Sequence, residues 1–583
     1  MPTGTEREVE RRRRAPPAVV LAPPLVWLAV FFLIPVLLVA MYSVGALTLF
    51  PGDRYLSLDA WARFLSGDQV YLGLFWRSIR ISLLVSTIAV VSAYPVAYYL
   101  ALVAVRRRYV LLLLIIAPFL TSYLLRLLAW RVILGDQGIV NTFLYTVGLR
   151  EPGHPVPWLL YSPFTVVVVL AYVWVPFVCL PIFVSLDSID RSLLEAAADL
   201  GARRWSTFLR IVLPSSRSGL AAAFAFVFVP TIGEFVTPLL VGGPRGFMFG
   251  NAIADLFGPG LDWQTGSVLS LFLVLVVGAL MAVFSRSFSV EHVAAIAEVG
   301  SAGRGAGETA ASSGGRRILA VLYVLLVAFL YAPIAILVAF SFNSSPSVTF
   351  PLRGFTLEWY RAFLANGALV GALRTSALVA GLTSVVAVAL GLPAAFALAR
   401  RRSRGRGLVG GILLAPLVIP YLVLGIALLV LFNAVGVPLS PITIAIGHVV
   451  LALPFSVLVL APRLGRIDRA LEEAAMDLGA SPLRVFARVT MPLLTPAVIS
   501  AALIAFTLSF DEYAVASFLA GDQVTYPIYL FSQLRFPNRL PQVLAVSTLV
   551  LLGSLVLVTA VEVARARAER RLAAPVAVSE GVA

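Results

Sequence analysis

Twelve apolar runs dominate this chain, and each is long enough to cross a hydrocarbon core of ~30 Å as a helix. In the first half they lie near residues 19–44, 74–104, 110–133, 163–185, 217–241 and 267–286. In the second half they lie near 317–341, 369–399, 408–432, 443–462, 495–519 and 542–563. With 60% hydrophobic and only 13% charged residues in 583, the chain could not cover a water-facing surface of this size. The alternating pattern of a membrane β-barrel is absent from these runs. The expected class is an all-α membrane protein with about 12 transmembrane helices. Pro35, Pro95, Pro176, Pro230, Pro393 and Pro454 lie inside the runs. Membrane helices tolerate them where neighbours satisfy the freed carbonyl.

The formal net charge is +15, and every cation is arginine, for the chain has no lysine. On a soluble chain this excess would suggest nucleic acid. Here the arginines gather in short loops between apolar runs, so no nucleic-acid partner is expected. Arg11–Arg14, Arg106–Arg108, Arg400–Arg402 with Arg404 and Arg406, and Arg565, Arg567, Arg570 and Arg571 fall on one side. The opposite loops carry fewer arginines, diluted by Asp53, Asp59, Asp68, Asp136 and Glu151. Positive loops stay in the cytoplasm, so both termini are expected there. Arg11–Arg14 before an apolar stretch resembles a signal peptide. However, Val19–Val44 is too long for the apolar region of one and reads as a retained first span. Without lysine no Walker A loop is possible, so any ATP must be bound by another chain. The lone Cys179 can form no disulfide within the chain, and His154, His292 and His448 are too scattered to suggest a metal site.

The stretch 287–316 is small, polar and rich in Gly, Ala and Ser, as a flexible linker is. It separates a first half at 19–286 from a second at 317–563, with tails at 1–18 and 564–583. Six spans per half make the halves parallel. Residues 186–214 aligned with 464–492, at a constant offset of 278, give 15 identities in 29 positions. A weaker echo pairs "SLDAWARFL" at 57–65 with "TLEWYRAFL" at 356–364. Duplication and fusion of one six-span unit explains both.

The repeated phrase, "EAAADLGARRWSTFLRIVLP" at 195–214 and "EEAAMDLGASPLRVFARVTMP" at 472–492, predicts a helix–turn–helix elbow. Asp468 caps a first helix and Gly479 ends it, since glycine readily adopts the left-handed C-cap conformation. Ser481-Pro482 restarts a second helix, with serine at the N-cap and proline at the first helical position. That helix should end near Pro492. In the first copy Ala202-Arg203 makes a weaker restart. A plain connector between spans could be much shorter.

These residues resemble the EAA loop of the permease subunits of ATP-binding-cassette (ABC) importers, at 187–214 and again at 465–492. The resemblance implies two parallel six-helix halves of the type I importer fold. It also implies that Glu195, Ala196, Ala197, Gly201 and Pro214, with Glu473, Ala474, Ala475, Gly479 and Pro492, couple the chain to an ATPase. "FTLSFDEYAVASFLAG" at 506–521 and "TYPIYLFSQLR" at 525–535 look like the C-type permease of spermidine/putrescine importers. "VPTIGEFVTPLLVGG" at 229–243 looks like the B-type permease, a less specific match.

Acids also stand where lipid is expected. Glu234 lies 20 residues after Pro214, and Glu512 lies 20 after Pro492. A carboxylate at mid-bilayer costs roughly 2.5–3.5 kcal/mol or more, so such groups face a cavity or a partner. One reading is that they snorkel to the outer interface. The other is that Glu234, Phe235, Asp511, Glu512 and Tyr513 line a shared pathway. Arginine is expected to be sparse nearby, so the counter-charge would be a cationic substrate, and aromatic faces could hold its ammonium groups. Asp511 and Glu512 point about 100° apart on a helix, so they cannot both face the pathway equally.

The resemblance implies a non-enzymatic translocation subunit of the bacterial cytoplasmic membrane, taking up polyamines. Its partners would be a homodimeric ATP-binding subunit, which holds ATP and Mg, and an extracytoplasmic substrate-binding protein. This chain would bind no cofactor of its own. Ferric iron, thiamine or phosphonate are alternative cargoes within the family. A 12-helix secondary transporter would explain the spans and the acids but not the repeated elbow. No Ser/His/Asp, metal-ligand or phosphate-loop pattern supports a membrane enzyme.

Overall fold

A computed structural model describes residues 17–48, 56–67, 69–104, 107–285, 313–346, 350–400 and 406–573. The described part is helical, with one isolated β-bridge, Asn343 to Phe355. The first-half membrane helices are α1 (Val20–Ser43), α2 (Gln69–Val103), α3 (Arg108–Phe119 with Tyr123–Thr146), α4 (Pro163–Asp187), α5 (Arg204–Ser215 with Arg217–Ile232) and α6 (Trp263–Phe284). Those of the second half are α7 (Gly314–Ser341), α8 (Gly367–Arg400), α9 (Arg406–Leu417 with Tyr421–Ala434), α10 (Pro441–Arg466), α11 (Pro482–Phe510) and α12 (Leu540–Ala573). Among the described residues eight are unbroken apolar spans, or eleven when each bent pair counts once; α12 carries a shorter apolar stretch, Leu540–Gly553. Eleven of the twelve runs read from the sequence are thus helices of spanning length among the described residues, the twelfth is a shorter apolar stretch, and three are bent, which the sequence reading did not foresee. Residues 287–312 of the expected linker and the arginines of the first tail lie outside the described residues, whereas 313–316 already belong to the helix Ser313–Ser341 and not to a linker.

The bends have a sequence cause. α3 turns by 81° and α9 by 92°, at "APFLTSYL" (117–124) and "APLVIPYL" (415–422), an echo with an offset of 298. Each begins as a 3-10 turn, Ala117–Leu120 and Ala415–Leu417. Each then passes through an extended residue, Ser122 (ψ 135°) or Pro420 (ψ 134°), before a new helix starts at the tyrosine. At α9 Pro420 itself stands at the break and has no N–H to continue the helix. At α3 the break falls at Ser122, four residues after Pro118, and Ala117 before that proline is still helical. The elbow prolines behave differently. Pro214 and Pro492 each follow a π-helical turn, Phe208–Val212 and Phe486–Thr490. The wider turn lets the chain carry the missing N–H without stopping. α11 therefore runs through Pro492 rather than ending there, whereas α5 bends by 61° just beyond its proline, at Ser216.

Equivalent side chains make equivalent bonds in the two halves. Trp61 Nε1 donates to Ser43 Oγ (3.3 Å), and Tyr360 pairs through its hydroxyl with Ser341 Oγ (2.6 Å). The weak echo at 57–65 and 356–364 is a helix start. There Ser57 and Thr356 accept from the N–H groups of Asp59 and Glu358. Ser78 on α2 and Ser376 on α8 accept, at 2.8 Å each, from the N–H groups of Phe249 and Tyr526.

The first helix of each half packs on the other half. α1 lies against α8 and α9, and α7 lies against α2 and α3. Leu28 belongs to a buried cluster otherwise drawn from the second half, including Leu424, Leu428 and Leu451. In the other direction, Tyr323 donates to the Leu111 carbonyl (2.9 Å), and Tyr172 donates to the Leu330 carbonyl (3.1 Å). Phe329 of α7 packs against Trp130 and Tyr172. The two halves are interlocked by exchanged helices as well as by the chain that joins them.

Candidate functional site

The two elbows are built alike. Asp190 and Asp468 cap the helices Arg191–Asp199 and Arg469–Asp477, each accepting at 3.0 Å from the N–H two residues on. The Ser192 N–H also holds the Asp190 carboxyl below the usual carboxylate range. Gly201 and Gly479 then take φ of +73° and +86°, where a Cβ is strained. Their turns close through Ala202 N–H to Ala197 O and Ala480 N–H to Ala475 O. The restart differs from expectation in one bond: the Ser481 side chain makes no cap hydrogen bond, and Pro482 at the first position starts the helix without it.

Helical phase sorts the repeated residues. Glu195, Ala196, Glu473 and Ala474 are exposed, whereas Ala197 is buried and Ala475 half-buried. Beside the glutamates stand apolar residues with little cover: Leu200 is 87% exposed and Trp205 69%, and their equivalents Leu478 and Leu483 are 89% and 78% exposed. Leu193 and Leu471 complete each set at about half exposure. Matched apolar side chains on charged elbows mark interaction surfaces.

The acids in the apolar segments sit at helix breaks, which the continuous apolar run had hidden. α5 stops at Ile232, and Glu234 Oε1 accepts from the N–H groups of Val236 (2.8 Å) and Thr237 (3.1 Å). α11 stops at Phe510, and Glu512 accepts from those of Val515 (2.9 Å) and Ala516 (2.9 Å). Each acid caps the short helix after its break and satisfies donors that lipid cannot. Glu234 is half-buried and Glu512 buried. The aromatic neighbours are engaged as well. Phe235 packs on Phe518 with ring centroids 6.2 Å apart, and Tyr513 packs on Phe531 at 4.9 Å.

Asp511 and Glu512 do point to different partners, but as residues of a helix break rather than as neighbours on one helix. Asp511 Oδ2 reaches into the first half and accepts from the Tyr123 N–H at 2.6 Å, at the restart of the bent α3. Glu512 stays in its own half, where Oε2 lies 3.0 Å from His448 Nε2. His448 Nδ1 lies 2.7 Å from Ser509 Oγ, which donates to Thr383 Oγ1 (3.2 Å). The first-half equivalent of His448 is Leu170, so this polar chain belongs to the second half only.

At the position equivalent to Asp511 the first half has Gly233, which faces Pro420 at the bend of α9. A Cβ there would fall 2.6 Å from the Pro420 Cβ. The expectation that arginine is sparse around the acids holds only in sequence. Folding brings buried Arg126 close enough to Asp511 for their charges to interact. Its guanidinium lies 5.5 Å from the Phe119 ring centre and 5.9 Å from that of Tyr123. Arg126 and His448 were the residues missed. Each lies in an apolar run far from the acids, and only the fold joins them.

Residues 70–291 and 387–573 each match the model of a family described as "Binding-protein-dependent transport system inner membrane component". The chain is 40% identical over 239 residues to the putrescine transport system permease protein PotI of Escherichia coli K12, covering 40% of this chain and 84% of that one. It is 32% identical over 266 residues to the spermidine/putrescine transport system permease protein PotB of Salmonella typhimurium LT2, covering 45% and 90%. The PotB of Haemophilus influenzae is 31% identical over 264 residues, covering 45% and 90%.

Proposed function

The chain belongs to the family of binding-protein-dependent transport system inner membrane components, and we propose that it alone supplies both permease halves of a polyamine importer. It is an ABC importer permease, a multi-pass translocation subunit rather than an enzyme. The observation that carries the rest is the pair of elbows. Leu193, Leu200 and Trp205 on one, and Leu471, Leu478 and Leu483 on the other, offer two equivalent apolar surfaces. Beside them stand the exposed Glu195 and Glu473.

We infer that two copies of a separate ATP-binding subunit dock there, holding ATP and Mg, with both elbows and both chain ends in the cytoplasm. Ala196, Ala197, Gly201 and Pro214, and Ala474, Ala475, Gly479 and Pro492, set the shape of each docking element. Closure of the ATPase dimer draws the elbows together, and hydrolysis releases them. Substrate arrives from an extracytoplasmic binding protein. It passes between the halves, along the junction of Glu234, Phe235, Asp511, Glu512 and Tyr513. The acids maintain the helix breaks there, and a polycation is the cargo they favour.

Putrescine and spermidine are proposed because relatives matched over most of their length are named for those compounds. A secondary transporter has no use for paired elbows. The test is co-purification of the full chain with its ATP-binding subunit. Leu200→Asp with Leu478→Asp should lower recovery of that subunit at least tenfold while the chain stays in the membrane. Undiminished recovery would refute the docking.

A further inference from the structure

We propose that Arg400, Glu472 and Thr490 form a polar latch that positions the second elbow, at three positions whose equivalents in the first half are apolar. The proposal rests on the elbows being coupling elements, and adds that the two pass force to their halves unequally.

The latch gathers both limbs of the elbow onto the end of α8. Glu472 Oε1 accepts from Arg400 Nη2 (3.0 Å) and from Thr490 Oγ1 (2.8 Å). Thus one carboxylate oxygen ties the first limb, where Glu472 lies, to the second, where Thr490 lies. Arg400 Nη1 donates to the Ile467 carbonyl (2.9 Å), just before the elbow helix. Arg469 Nη2 donates back to the Arg400 carbonyl (2.7 Å). The Arg400 and Glu472 side chains are only 7% and 16% exposed. A charge pair so covered is weakly screened, and removing one member strands the other. Helical phase separates Glu472 from its neighbour. Glu473 faces outward, where the ATPase would sit, and Glu472 faces back into the chain.

The first half answers with apolar residues. At the offset of 278, Glu472 corresponds to Leu194 and Thr490 to Val212. At the offset of 298 that aligns Pro95 with Pro393, Arg400 corresponds to Leu102. Leu102 and Val212 are buried in one apolar cluster, and Leu194 packs against it. Among the described residues, the first half pairs Arg108 with Asp187, which joins α3 to the end of α4 instead, and Asp187 corresponds to Gly465. All three members of the latch have thus changed character together between copies. An apolar contact is non-directional and tolerates sliding. A shared carboxylate oxygen with two donors holds one geometry. The second elbow therefore moves with α8 as a unit, and the first slides on its cluster.

The test uses the full chain in liposomes with its ATP-binding subunit and binding protein. Cys179 is changed to Ala, and one spin label is placed at Met476→Cys or at its equivalent Ala198→Cys. Glu472→Gln should make the label at 476 at least threefold more mobile and leave the label at 198 unchanged. Radiolabelled putrescine taken up per ATP hydrolysed should fall at least fivefold with ATPase recovery unchanged. Arg400→Leu, Glu472→Leu and Thr490→Val together, which install the residues of the first half, should bring the label at 476 to the mobility of the label at 198. Wild-type mobility and coupling in Glu472→Gln, or equal loosening at 476 and 198, would overturn the latch. The mobility contrast is read without ATP or substrate. Failure of the unmutated chain to couple uptake to ATP would therefore count against the importer reading and leave the latch to be judged by the labels.

Discussion

Asp511 of the second half accepts a 2.6 Å hydrogen bond from the backbone N–H of Tyr123 in the first. It caps the restart of a bent helix that belongs to the other half of the chain. The equivalent contact across the pseudo-two-fold has no such bond. There Gly233 has no side chain to accept from the N–H of Tyr421, the equivalent of Tyr123, and packs against Pro420 instead. One junction is joined by a charge-assisted bond and the other by close packing.

Asp511→Ala should therefore loosen one junction only. An unpaired buried donor costs about 1–3 kcal/mol, and for a chain of this length the thermal unfolding midpoint in detergent should fall by about 1–2 °C. Asp511→Asn keeps an acceptor and should lie between. An unchanged midpoint in Asp511→Ala would show that Tyr123 N–H finds another acceptor.

Glu512 and His448 form a pair that the first half replaces with Glu234 and Leu170. His448→Leu should leave the Glu512 caps on Val515 and Ala516 in place but strip one partner from a buried carboxylate. Uptake should fall at least fivefold with the elbows still binding ATPase. Glu234→Gln with Glu512→Gln, which keeps size and removes both charges, should lower polyamine uptake further. Equal uptake by the double variant would remove the acids from the pathway.

What the sequence discloses is what lies within one helix or one repeat. The apolar runs, the Asp468 cap and the Gly201 and Gly479 turns are local, and they stand where the patterns put them. The bends at Ser122 and Pro420 were legible in "APFLTSYL" and "APLVIPYL". They escape a search at an offset of 278 because a longer loop before α4 shifts that register to 298. The meeting of Asp511 with Tyr123, of Glu512 with His448, and the exchange of α1 and α7 between halves depend on which helices become neighbours. Apolar periodicity is silent on that choice, since every face of such helices is greasy enough for lipid or protein.

Gly201→Val with Gly479→Val should uncouple uptake from ATP hydrolysis. A left-handed conformation costs a residue with a Cβ roughly 1–2 kcal/mol, and a β-branched one has least freedom to adapt. Nothing lies within 4 Å of a Cβ at either site, so the effect would come from the turn and not from a clash. The protein should insert and hydrolysis should continue while uptake falls at least tenfold. Normal ATP-driven uptake would deny the elbows their role.

Cutting the chain between residues 290 and 314 and co-expressing the pieces should preserve uptake. The exchanged helices α1 and α7 hold the halves together through Tyr323, Tyr172 and the cluster around Leu28. The pieces should co-purify in equal amounts. Assembled pieces that fail to transport would give the linker a role of its own.

The most direct measurement is uptake by the purified chain in liposomes, with its ATP-binding subunit and its binding protein supplied from opposite sides. Radiolabelled putrescine or spermidine should accumulate only when ATP, ATPase and binding protein are all present, and sulfate should not. Polyamine uptake without the ATPase, or ATP-driven uptake of an anion in its place, would contradict the account.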